Sequence, residues 1–393
     1  MEFKNAQRLF GGLAVLALVA GACSSSSPTS APVTAAPILT APPSSAATPT
    51  EAQATPTAAA SSCNQDQIAS LQDELKTNVY WLAANDTQQG TVGSSTTNTN
   101  KGKVFSSTDP LKLDFVLEGV DHPALVALFN SAVATAKSMG ATMSVAGANG
   151  DVSQQVALLQ AALARGTDGV LVEPANTQGL QSVLAQYDAK GIPYVFALKG
   201  MTGINDASEV IAPYTIEGTE IGQYLVKHYA NDAGPIKVAI IDGITGDASS
   251  VARIDSLKIQ LLAACKFQIV AEQAGQYRRA ASETAMEGML AAHRDINLLI
   301  GANDEAALGG LDALKATGVT GVTVAGMDGE KDMFTCIKAG DCLVSITHLT
   351  PADGLNAATV LIDYLRGQPV PAWVVQVGQI VDTSNVNTLA PSF

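Results

Sequence analysis

From Leu111 onward the chain alternates short apolar runs with longer stretches of helical spacing, and this alternation limits the fold more than any other feature. LKLDFVL, ATMSVAG, DGVLVEP and IPYVFAL are separated by stretches such as QQVALLQAALARG and LQSVLAQYDAKG, which end in Gly. Runs that are apolar throughout suit strands covered on both faces, and strand-helix-strand repetition produces a parallel sheet. A second series follows with IKVAIIDG, FQIVAEQ, INLLIGAND, VTVAGMDG and LVSITHL. Two doubly wound α/β lobes are therefore predicted.

Residues 298–310, LLIGANDEAALGG, show how one such unit ends. The apolar run stops on Asn303 and Asp304, and helical spacing resumes with Ala306, Ala307 and Leu308. Asn or Asp at that place either caps the new helix or faces a ligand, because doubly wound sheets bind ligands beyond the carboxyl ends of their strands. Both readings stand, with Asp304 the expected cap and Asn303 and Asp328 the expected ligand groups.

The first 108 residues belong to neither lobe. Lys4 and Arg8 precede an apolar segment from Leu9 to Ala20 that ends in VAGAC. It is too short to span a bilayer and reads as an export signal over residues 1–22. It resembles a bacterial lipoprotein signal in which Cys23 becomes the lipidated amino terminus, with Ala20 where such signals most often carry Leu. A secretory signal cut after Ala22 without lipid is the alternative. Residues 23–61 are almost wholly Ser, Thr, Ala and Pro and read as a disordered tether, long enough at about 40 residues to span roughly 35 Å as a flexible coil. Over residues 62–108, Ile68, Leu71, Leu75, Val79 and Leu82 recur at helical spacing ahead of a polar linker. That helix either docks on the main body or meets a partner.

Charge and motif content exclude several function classes. A formal net charge of −14 repels a phosphate backbone, and no Lys/Arg cluster offsets it, so no nucleic-acid partner is expected. There is no GxSxG, HExxH, P-loop or CxxC, and the four His are scattered without metal-ligand spacing. No catalytic residues, metal or cofactor are expected, and the chain is not read as an enzyme. Five Cys in an exported chain leave four once Cys23 is set aside. Cys336 and Cys342 flank IKAGD, where a helix end turns back to a strand, and are the expected disulfide. Cys63 and Cys265 are left open between a second bridge and free thiols.

The order of DHPAL (121–125), QQVALLQAALARGTDGVLVEPAN (154–176), GIPYVFAL (191–198), GANDEAALGGLDALKATG (301–318) and VAGMDG (324–329) resembles that of the ribose-type periplasmic sugar-binding proteins. The match runs from about Leu111 to the carboxyl terminus. The resemblance implies a type I periplasmic binding protein clamp, in which a three-strand hinge joins the lobes and a sugar or polyol binds between them. Lobe 1 would comprise 109–213 plus 349–371 and lobe 2 214–348 plus 372–393, with hinge strands near 212–216, 347–351 and 370–374. A lipid-anchored monomer on the outer face of the membrane would hand its solute to an ABC transporter permease. The alternative is a sensor of a sugar or quorum signal feeding a membrane receptor.

Carried over by position, the resemblance implies a substrate-binding set of Glu118, His122, Leu125, Lys199, Arg253, Tyr277, Asn303, Asp328 and His348. Tyr277 would cover an apolar sugar face, while Asn303, Asp328 and His348 would meet hydroxyls. The first lobe departs from the pattern. Ala124 and Leu125 stand where stacked aromatics are usual, His122 where an Asn is usual, and Leu198-Lys199 where an Asp-Arg pair is usual. Val251 occupies the place of a common ligand Arg, with Arg253 two residues on. Lys199 could neutralise an acidic or phosphorylated ligand or be solvated.

Overall fold

The computed structural model describes residues 63–78, 80, 96–176, 179–201 and 203–393. The expected signal peptide, Cys23 and tether lie outside them. The first lobe is a six-stranded, all-parallel sheet in the order Trp373–Val375, Ser208–Ile211, Tyr194–Leu198, Gly169–Val172, Leu111–Leu117, Ala141–Gly147. Successive residues of a strand point to opposite faces. Phe115 accordingly packs with Leu128, Ala132 and Leu361 of the helices Pro123–Ser138 and Thr350–Leu365. Its neighbour Val116 packs with Leu159 and Val183 of the helices Val152–Arg165 and Gln181–Lys190. Covering on both faces explains why the strands read as unbroken apolar runs. Gly354 lets the first helix pair touch, since a Cβ there would lie 2.1 Å from the Leu128 carbonyl oxygen.

The second lobe is built on a four-stranded parallel sheet in the order Thr323–Ala325, Leu298–Gly301, Ile236–Asp242, Phe267–Ala274. Tyr214–His228 and Ala248–Ala263 pack together, as do Arg279–Leu290 and Asp304–Thr317. Ser345–Ile346 pairs antiparallel with Ile380–Val381. Lys331–Ala339 ends beside the disulfide Cys336–Cys342, the pair expected from sequence. A second disulfide joins Cys63 to Cys265.

Within residues 203–393 the chain passes between the lobes three times. The first passage follows Ile211 and the second follows Ile346. The third falls after Val375, not at the boundary of 371 and 372 expected from sequence, because Trp373–Val375 pairs with Ser208–Ile211 and completes the first lobe's sheet before Ile380–Val381 joins the second. The polar stretch expected to be only a linker also differs. Thr97–Asn98 pairs antiparallel with Val370–Pro371, and Asn98 Nδ2 donates to the Ala207 carbonyl. The amino-terminal helix Gln65–Leu75 docks on Ala248–Ala263 of the second lobe.

Candidate functional site

The carboxyl ends of both sheets open onto one cavity of about 290 Å³ between the lobes. Glu118, Glu173 and Lys199 follow directly on first-lobe strands that end at Leu117, Val172 and Leu198. Tyr277, Asn303, Asp328 and His348 lie just beyond second-lobe strands, and Arg253 reaches in from the helix Ala248–Ala263. All nine residues expected from sequence line this cavity. Among the described residues seven non-glycine residues have positive φ, and five of these, Asn149, Leu198, Gln276, Tyr277 and Asp328, line it as well. Such backbone costs free energy and persists where surrounding structure enforces it, most often at functional sites.

On the first-lobe side, Lys199 Nζ lies 2.7 Å from Glu118 Oε2 and 3.1 Å from Glu173 Oε1, and 3.6 Å across the cleft from Asp247 Oδ1. Burial disfavours the ammonium, but Asp247, Glu118 and Glu173 together hold its pKa well above the ordinary lysine value. Burial and the Glu118 charge push Glu173 up to about 8. Lys199 is thus enclosed by carboxylates and is neither a solvated lysine nor a free counter-charge for an acidic ligand. His122 caps the helix Pro123–Ser138, its Nδ1 accepting from Ala124 N at 3.2 Å. Burial pushes its pKa down, so the ring is neutral and Nε2 carries the proton. That Nε2 is buried without a protein partner among the described residues, a donor held ready beside the cavity. Leu125 contributes a buried apolar wall.

On the second-lobe side, Arg253 is the organiser. Its Nε donates to Glu217 Oε2 at 2.8 Å, Nη1 to the Ala302 carbonyl at 2.9 Å, and Nη2 to Asp328 Oδ1. The guanidinium carbon lies 4.6 Å over the Tyr214 ring, a cation–π arrangement. His348 Nδ1 lies 3.1 Å from Glu217 Oε1 and its Nε2 3.6 Å from Asp353 Oδ2. Burial opposes the imidazolium, but these two carboxylates outweigh it and push His348 up to about 10. The Tyr277 hydroxyl meets Ser249 Oγ at 3.1 Å and donates to Asp247 Oδ2 at 3.2 Å. Its ring rests on Gly243, where any Cβ would stand 2.2 Å from the ring.

Two sequence assignments change. Asn303, not Asp304, caps the helix Asp304–Thr317, with its Oδ1 accepting from Ala306 N at 2.8 Å. An N-cap has extended backbone, which Asn303 has at φ −146°, whereas Asp304 is already the first helical residue. Asp304 instead turns inward, accepting from Glu330 N and Ser345 Oγ, both at 2.7 Å, and pins the loop that carries Asp328. That loop is also held by Ser392. Ser392 N donates to the Gly329 carbonyl at 2.8 Å, and Ser392 Oγ accepts from His348 N at 3.0 Å.

Residues not anticipated are Glu173, Tyr214, Glu217, Asp247, Ser249 and Arg278. Glu173 sits at a strand carboxyl end, the signal that picked out Asn303. Asp247 reads in sequence as a helix cap, which it also is, accepting from Ser250 N. Glu217 and Tyr214 lie in an amphipathic helix that gives no local sign of facing the cleft.

The sequence matches the periplasmic binding protein domain over residues 113–369. This chain belongs to that family. Among its relatives is the ribose import binding protein of Salmonella typhimurium, 27% identical over 257 residues, covering 65% of this chain and 86% of the relative. A xylitol-binding protein of Mycolicibacterium smegmatis is 25% identical over 244 residues, covering 61% and 68%. An ABC transporter solute-binding protein from Mycobacterium smegmatis, solved with bound glycerol, superposes with a TM-score of 0.68 at 29% identity, covering 72% of this chain and 97% of that one. The fold is that of the type I periplasmic binding proteins, of the ribose-like sugar-binding kind, and these relatives are solute-binding proteins, not enzymes. Among the described residues no helix is long and apolar enough to cross a membrane.

Proposed function

We propose that this chain binds a neutral sugar or polyol between its lobes and presents it to the permease of an ABC importer. The observation that carries this reading is the charge pairing of the cavity. Each cationic side chain lining it already faces a protein carboxylate: Lys199 with Glu118, Arg253 with Asp328, Arg278 with Asp121, and His348 with Glu217. An anionic solute would compete with those partners, whereas hydroxyls can bond to carboxylates, the Asn303 amide and His122 without a net charge of their own. The glycerol, xylitol and ribose named for the relatives are all neutral polyhydroxy compounds.

A thermal-shift screen over pentoses, hexoses, polyols and their phosphorylated or acidic counterparts tests this, since a solute at 100 times its Kd adds about 2.7 kcal/mol of apparent stability. Neutral members are expected to shift the melting temperature and anionic counterparts are not. A screen in which only anionic compounds bind would overturn the reading. Closure on the solute is then the signal that a permease recognises. We infer from the export signal and Cys23 that a lipid anchor holds the protein on the outer face of the cell membrane. Wild-type protein is expected to need detergent for release and Cys23→Ala to fractionate differently. Wild type that is wholly soluble with an unmodified amino terminus would sink the anchor.

A further inference from the structure

The segment from Cys63 to Tyr80 precedes the family domain, which begins at residue 113, yet it reaches the binding site. One end is fixed to the second lobe. Cys63 is bonded to Cys265, Asn64 Nδ2 donates to the Leu262 carbonyl at 3.1 Å, and the helix Gln65–Leu75 lies along Ala248–Ala263. The segment stays on that lobe as far as Asn78, whose Nδ2 donates to the Ala248 carbonyl at 2.8 Å, next to Asp247.

Two residues later it is in the other lobe. Tyr80 is only 2% exposed and packs in an apolar cluster made mostly of first-lobe residues, its ring also 4.8 Å from that of Tyr214, the first residue of a second-lobe helix, in an edge-on contact. Its hydroxyl donates to the Leu198 carbonyl at 3.1 Å. Leu198 has a φ of +64°, a conformation that a leucine rarely adopts, and its carbonyl also accepts from Ala212 N at 3.1 Å. Lys199, the next residue, is therefore aimed at Glu118, Glu173 and Asp247 by a backbone turn that Tyr80 helps to hold.

We propose that Tyr80 is a positioning residue of the binding site, delivered by a disulfide-anchored strap that fixes the Leu198–Lys199 turn and ties the two lobes together beside the Lys199–Asp247 pair. Two residues of chain span at most about 7 Å. Ala248 and Leu198 cannot move apart by more than that slack while both Asn78 and Tyr80 stay seated. The strap consequently restrains opening of the empty cleft, whichever solute the cleft takes.

The test reads the separation of the lobes without any solute, so its outcome is independent of the proposed ligand class. Spin labels on Cys introduced at exposed Gln160 of the first lobe and exposed Glu287 of the second, in the full chain carrying Cys23→Ser, report the distribution of interlobe distances. Tyr80→Ala and, separately, the pair Cys63→Ser with Cys265→Ser are each compared with the unmodified strap. The serine pair leaves every apolar core residue in place and guards against a Tyr80 variant that fails to fold. A shift to longer distances is expected in both variants, with the melting transition of the domain kept cooperative. A folded variant of either kind whose distance distribution superposes on that of the unmodified strap overturns the proposal.

Discussion

Arg278 of the second lobe holds Asp121 of the first in a two-pronged ion pair, Nη1 to Oδ2 at 3.1 Å and Nη2 to Oδ1 at 3.2 Å. Both side chains are more than half exposed, 54% and 66%, so water and salt screen the pair, unlike the enclosed Lys199–Asp247 contact. An exposed pair contributes about 1 kcal/mol or less, and Arg278→Ala is expected to weaken solute binding by no more than about fivefold. Calorimetric titration at low and high salt checks this, since the difference from wild type should vanish at high salt. A loss above tenfold that persists in high salt would mean that Arg278 touches the solute itself.

Asp328 and Asp304 flank the same loop but act differently. Asp328 lines the cavity and anchors Arg253, so Asp328→Ala is expected to weaken binding by about tenfold to a hundredfold. Asp304→Ala removes the acceptor for Glu330 N and Ser345 Oγ and is expected to lower unfolding stability by about 1–3 kcal/mol. Asn303→Ala should do both, losing a cap of about 1 kcal/mol and a cavity amide. Titration and denaturant unfolding of the three variants separate the effects. Unchanged affinity in both Asp328→Ala and Asn303→Ala would remove these residues from the site.

Glu209 introduces a pH dependence. Burial, helped by the nearby Asp206 charge, pushes its carboxyl up to about 8 from an ordinary value of 4.5. Between those values the folded chain keeps a proton that the unfolded chain has released, so this group's contribution to stability falls as pH rises through that window. Glu209→Gln keeps an acceptor for Met201 N and removes the ionisation. Its melting temperature relative to wild type is expected to be higher at pH 8.5 than at pH 5. An equal difference at both pH values would refute the assignment.

The disulfides supply a chemical check on the fold. Non-reducing peptide mapping is expected to recover Cys63 with Cys265 and Cys336 with Cys342, with no free thiol among the four. Replacing Cys336 and Cys342 by Ser is expected to cost about 2 kcal/mol, because closing so short a loop restricts the unfolded chain only modestly. Recovery of Cys63 paired with Cys336 or Cys342 would contradict the topology.

The strands were legible because both faces of each sheet are covered, which leaves apolar runs such as LKLDFVL with no polar interruption. The candidate site was legible where chemistry coincides with a strand's carboxyl end, as at Asn303 and Asp328, and elsewhere, as at Glu118, through the family resemblance. Exchange of the cap between Asn303 and Asp304 was not legible, since adjacent amide and carboxyl side chains serve that role almost equally and backbone φ decides. Glu217 and Tyr214 were hidden for a different reason. Their burial depends on how one helix is set against the cleft, a tertiary matter that helical spacing does not encode. The Cys63–Cys265 bond spans 202 residues, and nothing local in either neighbourhood points to the other.

Ser392 bonds both to Gly329 and to His348, and the Phe393 carbonyl accepts from Lys331 N, so residues 392 and 393 form a buttress behind the loop that presents Asp328. The practical consequence concerns handling of the protein. A tag or reporter attached at residues 392–393 would sit in that buttress, and removal of those two residues would delete it. Fusions intended to report solute binding are better inserted elsewhere, and the presence of residues 392 and 393, checked by mass, belongs with any affinity measured on this chain.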